Sequence, residues 1–280
     1  MSAAAPRLDW RSLDRAALDK SLSSSRAVEG SLAIIEGWGR TSAALRARHP
    51  EALDLAYGPR PRQRIDLLKA ADGAPTLVFL HGGFWQMLSK DDFTFVAAGL
   101  LPAGINVAFV GYTLAPDATL DDMVLEVRAA LDWLGAHLAG LGGDPAAVFV
   151  GGWSAGAHLA VMVMDHPLVR GVLGISGLYE LAPLAASFVN GKLGLDDAAV
   201  DRNSPQRHIQ RDMPPLALVV GGAELAMMRQ QTEDYAAALT ASGAPVTFET
   251  LAGANHFTIL DQLADPDGAI AAMARRLMSR

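Results

Sequence analysis

Four short stretches of this chain hold residue types that could do nucleophilic chemistry. Gly152-Trp153-Ser154-Ala155-Gly156 follows the apolar run Val148-Phe149-Val150 and leads into a helix-prone segment. A serine at so sharp a strand-to-helix turn holds a strained backbone and presents its hydroxyl at the carboxyl end of a sheet, above a helix N-terminus. Side chains two residues to either side would collide, so both positions favour glycine. Upstream, the run Thr76-Leu77-Val78-Phe79-Leu80 ends in His81-Gly82-Gly83-Phe84-Trp85. Glycines there let the N–H groups of Gly82 and Gly83 approach a substrate oxygen, and the N–H of Ala155 would complete an oxyanion hole. Downstream come Gly221-Gly222-Ala223-Glu224 and then Ala252-Gly253-Ala254-Asn255-His256-Phe257.

A serine is inert at neutral pH unless a base takes its proton as it attacks. The chain has seven histidines: His49, His81, His137, His158, His166, His208 and His256. His158 falls one turn into the helix after the serine and is expected to be structural. His81 is expected to brace the glycine loop. His49, His137, His166 and His208 adjoin helix ends or loops and are expected at the surface. His256 directly follows the strand-like Val246-Thr247-Phe248-Glu249-Thr250-Leu251, where the chain would return beside the serine. Glu224 is the candidate acid, since a carboxylate after Leu216-Ala217-Leu218-Val219-Val220 could hold the imidazole N–H and stabilise an imidazolium. It could also be an ordinary acid at a helix start. Glu233 and Asp234 fall further on, in a helix, and are expected to be solvated.

The elements that must position these groups read as short apolar strands alternating with helices. Strands are expected at Arg64–Leu68, Thr76–Leu80, Asn106–Val110, the run before Ser154, Gly171–Ile175, Leu216–Val220 and Val246–Leu251. Helices are expected at Ser31–Arg48, closed by His49-Pro50, and at Leu120–Leu138, Ala155–Asp165, Met227–Ala241 and Asp267–Met278. Residues 1–30 look irregular, although 1–50 as a whole reads as an N-terminal helical segment. Continuous apolar strands mean a mostly parallel sheet covered by helices on both faces, an α/β fold. Residues 177–213 break the alternation and read as a small cap over the site, or as an ordinary long connection. Phe84, Trp85, Trp153, Tyr179 and Phe257 flank the reactive positions. Any of them could be core, but together they are candidates for lining a substrate pocket, Trp85 and Trp153 foremost.

With 280 residues the chain is large enough for one sizeable core, and 51% apolar residues against 19% charged exclude a disordered protein. A net charge of −7 without basic clusters argues against nucleic acid as a partner. With no cysteine, neither a disulfide framework nor a thiolate nucleophile is possible, and no metal site is evident. No basic start with an apolar core is seen at Met1–Asp9, and no apolar run reaches membrane-spanning length. A cytoplasmic protein, without a membrane partner, is the expectation, and a homodimer is left open.

The motifs HGGFW, GWSAGAHLA, VVGGAE with Arg229-Gln230 after it, and GANHF resemble the kynurenine formamidase (arylformamidase) branch of α/β-hydrolases. That branch adjoins the HGG-type, hormone-sensitive-lipase-like esterases. The resemblance runs over nearly the whole chain, including the stretch from Ser176-Gly177-Leu178-Tyr179-Glu180-Leu181 to Ser204-Pro205. It implies a single α/β-hydrolase domain over 1–280 with a triad of Ser154, Glu224 and His256. It also implies an oxyanion hole of Gly82, Gly83 and Ala155, and no cofactor. The substrate it implies is a small-acyl ester or an N-formyl aryl amide. The chain departs from it at Leu22-Ser23-Ser24-Ser25-Arg26, where many such enzymes carry tyrosine-asparagine before the arginine. Other amides, carbamates or lactones remain open as substrates, as does a non-catalytic ligand receptor on the same fold.

Overall fold

The computed structural model describes residues 7–209 and 212–279. The first six residues, part of the stretch read above for a leader, lie outside the described residues. Eight strands form one sheet: β1 Leu55–Ala56, β2 Arg64–Leu68, β3 Ala74–Leu80, β4 Asn106–Val110, β5 Gly143–Trp153, β6 Val169–Ile175, β7 Leu216–Gly221 and β8 Val246–Leu251. Their order across the sheet is β1-β2-β4-β3-β5-β6-β7-β8. β1 and β2 are antiparallel to their neighbours, and every pairing from β4 to β8 is parallel. The carboxyl ends of β3, β5, β6, β7 and β8 therefore meet along one edge, where ligands bind in sheets of this kind.

The alternation of side chains along the strands explains why they read as unbroken apolar runs. Leu77, Phe79, Phe149, Leu173 and Val219 face one buried layer, while Val78, Leu80, Val150, Val172 and Leu218 face the other. With both faces dry, a polar side chain on a central strand is costly unless it finds a partner. The second layer is closed by α1 Arg15–Leu22, α4 Leu120–His137, α5 Ala155–Met162 and α9 Ala226–Ser242. α3 Ser31–Arg46, α10 Asp261–Ala264 and α11 Ala269–Met278 close the first. α4 starts at a reciprocal capping box between Thr119 and Asp122, which satisfies two N–H groups that a helix start leaves unpaired.

The expectation that residues 1–30 are irregular is corrected. α1 is capped by the Asp14 side chain, and α2 spans Ser24–Ala27. An eight-residue helix has too few turns to show a period in sequence. It is held here because Leu18 and Leu22 are buried in the core. Among the described residues of the 177–213 stretch, between β6 and β7, are the short helices α6 Ala182–Ala185, α7 Asn190–Leu193 and α8 Asp197–Arg202.

Candidate active site

The nucleophile elbow takes the expected form. β5 ends at Trp153, α5 begins at Ala155, and Ser154 between them has φ +57° and ψ −119°. A Cβ on Gly156 would strike the Leu80 carbonyl oxygen, and one on Gly152 would strike the Gly156 backbone. No other residue fits the turn at those two positions. The Ser154 N–H is tied to the Ile175 carbonyl at 2.8 Å, so the elbow is an extension of the sheet ladder.

The structure brings Ser154, His256 and Glu224 into one line. Ser154 Oγ donates to His256 Nε2 at 3.1 Å, and His256 Nδ1–H donates to Glu224 Oε2 at 2.6 Å. All three are buried, Ser154 at 2% exposure, His256 at 4% and Glu224 at 7%. Two loops that are distant in sequence are stitched together to make this contact. Gly222 N–H donates to the Leu251 carbonyl at 2.8 Å and Ala223 N–H to the Ala254 carbonyl at 3.0 Å. The Asn255 carboxamide oxygen accepts from the N–H groups of Phe257 at 2.9 Å and Thr258 at 3.0 Å, folding the turn that carries His256. Glu233 and Asp234 lie on α9 away from this line, and Asp234 is paired with Arg7.

The glycine loop lies beside the elbow. Gly83 has φ +112°, and a Cβ there would run into the Met87 backbone, so an L-residue is excluded. The loop turns back on itself through Gln86 N–H and Met87 N–H, both donating to the Gly83 carbonyl. His81 braces it: Nδ1–H donates to the Gly82 carbonyl at 2.8 Å, and the ring stacks on Tyr112 at 4.4 Å between centroids. Tyr112 Oη in turn donates to the His81 carbonyl at 2.7 Å. Burial holds the His81 imidazole neutral, with its pKa lowered to about 3. Ala155 occupies the first position of α5, whose N–H a helix cannot pair internally.

Residues 77–208 match the family model for the alpha/beta hydrolase fold. The kynurenine formamidase of Salmo salar is 31% identical over 81% of this chain and 82% of its own length. That of Danio rerio is 28% identical over 97% and 99%. The chain belongs to the kynurenine formamidase family of α/β-hydrolases, and it is a hydrolase. A solved protein from Silicibacter sp. tm1040, described as a candidate thioesterase, superposes with a TM-score of 0.80 at 26% identity, covering 94% of this chain and 99% of that one. The metagenomic carboxylesterase EstE1 superposes with a TM-score of 0.68 at 22% identity over 77% and 84%, a likeness of fold alone.

Within this family frame, the aromatic residues behave differently from the sequence expectation. Trp85 is fully buried, edge-on to the His158 ring at 5.0 Å. Trp153 lies under the glycine loop, where a Cβ on Gly82 would strike its ring, and its Nε1–H donates to the His256 carbonyl at 2.8 Å. It supports the histidine from below instead of offering an open wall. Tyr179 stacks on Tyr235 at 4.4 Å, and Phe257 packs against Trp38 and Trp153. Of the five, Phe84 alone keeps substantial accessible surface. The sequence missed its partner Phe188, 45% exposed, whose ring lies edge-on to Phe84 at 6.2 Å. No sequence signal marked it, because Phe188 lies among other apolar residues, Leu184, Ala185, Ala186 and Val189.

The 177–213 segment reaches the glycine loop and the N-terminal helix together. Gln86 Nε2 donates to the Val189 carbonyl at 2.6 Å, and Phe188 N–H donates to Asp19 Oδ1 at 2.7 Å. His158 anchors its far end by donating from Nε2 to the Asn203 carbonyl at 2.8 Å, and burial lowers its pKa to about 4. His137 and His208 are exposed as expected and His49 is half-buried. His166 is buried instead, with Nε2 at 3.1 Å from Asp132 Oδ1, because the turn after α5 folds it back onto α4.

Asp54, Asp66 and Asp91 converge closely enough to hold a cation. The position among them is filled by the Lys90 ammonium, 2.7 Å from a carboxylate oxygen of each. Burial disfavours the Lys90 charge, but the three carboxylates outweigh it and raise its pKa.

Proposed function

We propose that the chain hydrolyses small-acyl esters or N-formyl aryl amides through an acyl-enzyme on Ser154. The observation that carries this is the unbroken relay Ser154 Oγ–His256 Nε2–Glu224. His256 takes the serine proton as Oγ attacks the carbonyl carbon, and Glu224 fixes the tautomer and stabilises the imidazolium. The N–H groups of Gly82, Gly83 and Ala155 hold the oxyanion, each worth about 3 kcal/mol of transition-state stabilisation. His256 then protonates the leaving alcohol or aniline. It next takes a proton from water, which attacks the acyl carbon and releases the acid and Ser154. No cofactor enters any step.

The closed site favours a short acyl group, since Trp85 and Trp153 fill the volume beneath the glycine loop and Ser154 is almost fully covered. Phe84 and Phe188 offer apolar ring faces on the outer side, suited to an aromatic leaving group. The negative net charge disfavours nucleic acid as partner, and the cysteine-free composition accords with a cytoplasmic setting. Among the described residues no helix is long and apolar enough to cross a membrane.

A substrate series of p-nitrophenyl acetate, butyrate and dodecanoate with N-formylkynurenine tests the proposal. Acetyl and formyl substrates are expected to be fastest. Faster dodecanoyl turnover would refute the short-acyl site. Rapid ester turnover without N-formylkynurenine turnover would assign an esterase instead of a formamidase. Failure of a fluorophosphonate to label Ser154 would favour a ligand receptor.

A further inference from the structure

β6 ends, like β5, in a serine with a left-handed backbone. Ser176 has φ +52°, beside Ser154 at φ +57°, in a region that residues other than glycine rarely adopt. Such strain persists only where the surroundings impose it, and it clusters at functional positions. Ser176 is held by the sheet ladder, its N–H donating to the Val219 carbonyl at 2.8 Å, as Ser154 is held by Ile175. Its side chain is fully buried. The hydroxyl donates to Glu224 Oε1 at 2.5 Å, and the Gly221 N–H donates to the same oxygen at 2.7 Å. Among the described residues, Glu224 Oε2 is left to His256 alone, at 2.6 Å.

We infer that Ser176 is a positioning residue for the acid, a fourth member of the relay. This rests on the proposal that Ser154, His256 and Glu224 act as a triad. A glutamate has three rotatable side-chain bonds, and a buried one needs both oxygens satisfied to stay ionised. Two donors on Oε1 pin the carboxylate group and turn Oε2 toward Nδ1. The turn at Ser176 aims its hydroxyl across β7 at the acid loop, which an extended backbone at the end of β6 would not do.

Ser176→Ala removes the donor and keeps the strain, while Ser176→Gly removes both, so the pair separates the hydroxyl from the fold. Both are expected to lower kcat on p-nitrophenyl acetate about tenfold, the size of one hydrogen bond to a charged group, with little change in KM. The carboxylate becomes more basic without its donor and stabilises the imidazolium more, so the acid limb of the kcat/KM profile moves to higher pH. In a Glu224→Gln background the same substitutions should change the fluorophosphonate labelling rate of Ser154 little, because the group they act through is gone. The far-downfield proton resonance of His256 Nδ1–H should shift in both variants and vanish in Glu224→Gln. Unchanged kcat, pH profile and proton resonance in the two variants would overturn the inference. So would an equal fold-loss with and without Glu224, which would mean a merely structural role. A wild-type chain whose Ser154 is not labelled would fail the triad proposal instead. The proton resonance, which needs no turnover, would still decide whether Ser176 positions Glu224.

Discussion

The relay around Glu224 and the ion cluster around Lys90 each bury one carboxylate against donors, Glu224 in the first and Asp66 in the second, yet they are built to opposite ends. Around Lys90, three carboxylates meet two cations. Lys90 Nζ reaches all three acids, and Arg46 Nε lies 2.9 Å from Asp66, with its Nη atoms at 3.1 and 3.2 Å from Asp91 and Asp54. Asp66 also accepts the Asp54 N–H at 2.7 Å. Asp66 is fully buried there, whereas Asp54 and Asp91 keep one side open to solvent. Around Glu224, among the described residues, there is a single carboxylate with no ion-paired Lys or Arg, and His256 Nε2 keeps a lone pair that meets the Ser154 hydroxyl. The buried Asp66 charge, paired with two cations, fixes α3 to β2 and the loop that carries Lys90. Buried polarity one proton short of saturation is what general-base chemistry needs.

The sharpest way to break this comparison is at the relay. Ser154→Ala and Glu224→Gln should each cost on the order of 10⁴-fold or more in kcat while the melting temperature stays near that of the wild type. Asp234→Asn on α9 should be near neutral in the same assay. If Asp234→Asn matched Glu224→Gln, the acid would be misassigned. The ion cluster should respond in the other currency. Lys90→Met leaves Asp66 buried with one cation fewer, and denaturant unfolding should show a loss of about 3–5 kcal/mol. The activity of the folded fraction should change little. A stable but inactive Lys90→Met protein would mean the cluster belongs to the site.

The smallest effect sharpens the comparison through pH. His81 and His158 are buried neutral, with folded pKa values lowered by burial to about 3 and about 4. The unfolded chain takes up their protons below about 6.5, and the folded chain does not until far lower. Stability conferred by the two rings is therefore present above pH 6.5 and is lost as pH falls toward 4, each costing roughly 1 kcal/mol per pH unit. His81→Gln or His158→Gln should flatten that part of the stability curve. An unchanged slope in both variants would refute the burial account.

Legibility followed how local the signal was. Gly152, Ser154 and Gly156 were readable because a sharp elbow leaves no room for Cβ atoms, a constraint within five residues. Glu224 was readable because it follows the plain apolar run of β7, and His256 because it lies in the loop after the last strand, β8. The aromatic residues were not, because the direction of a ring depends on what packs against it. Trp153 was expected to line a pocket and is found bonded to the His256 carbonyl, and Trp85 is buried against His158. Ser176 escaped notice for the same reason, since its acceptor Glu224 lies in the loop after β7, while the local turn that Asn255 folds matters only through the histidine it carries.

The sequence by itself determined the parallel α/β sheet, since continuous apolar strands alternating with helices leave few other ways to bury both faces. It also determined the strained turn that carries Ser154, because backbone sterics at the elbow act between neighbours. Only the tertiary structure decided which polar groups became a relay and which a lock. Hydrogen bonds span about 3 Å, and the partners of Glu224 come from β6, β7 and the loop after β8. That convergence is set by strand order in the sheet, which no spacing along the chain encodes.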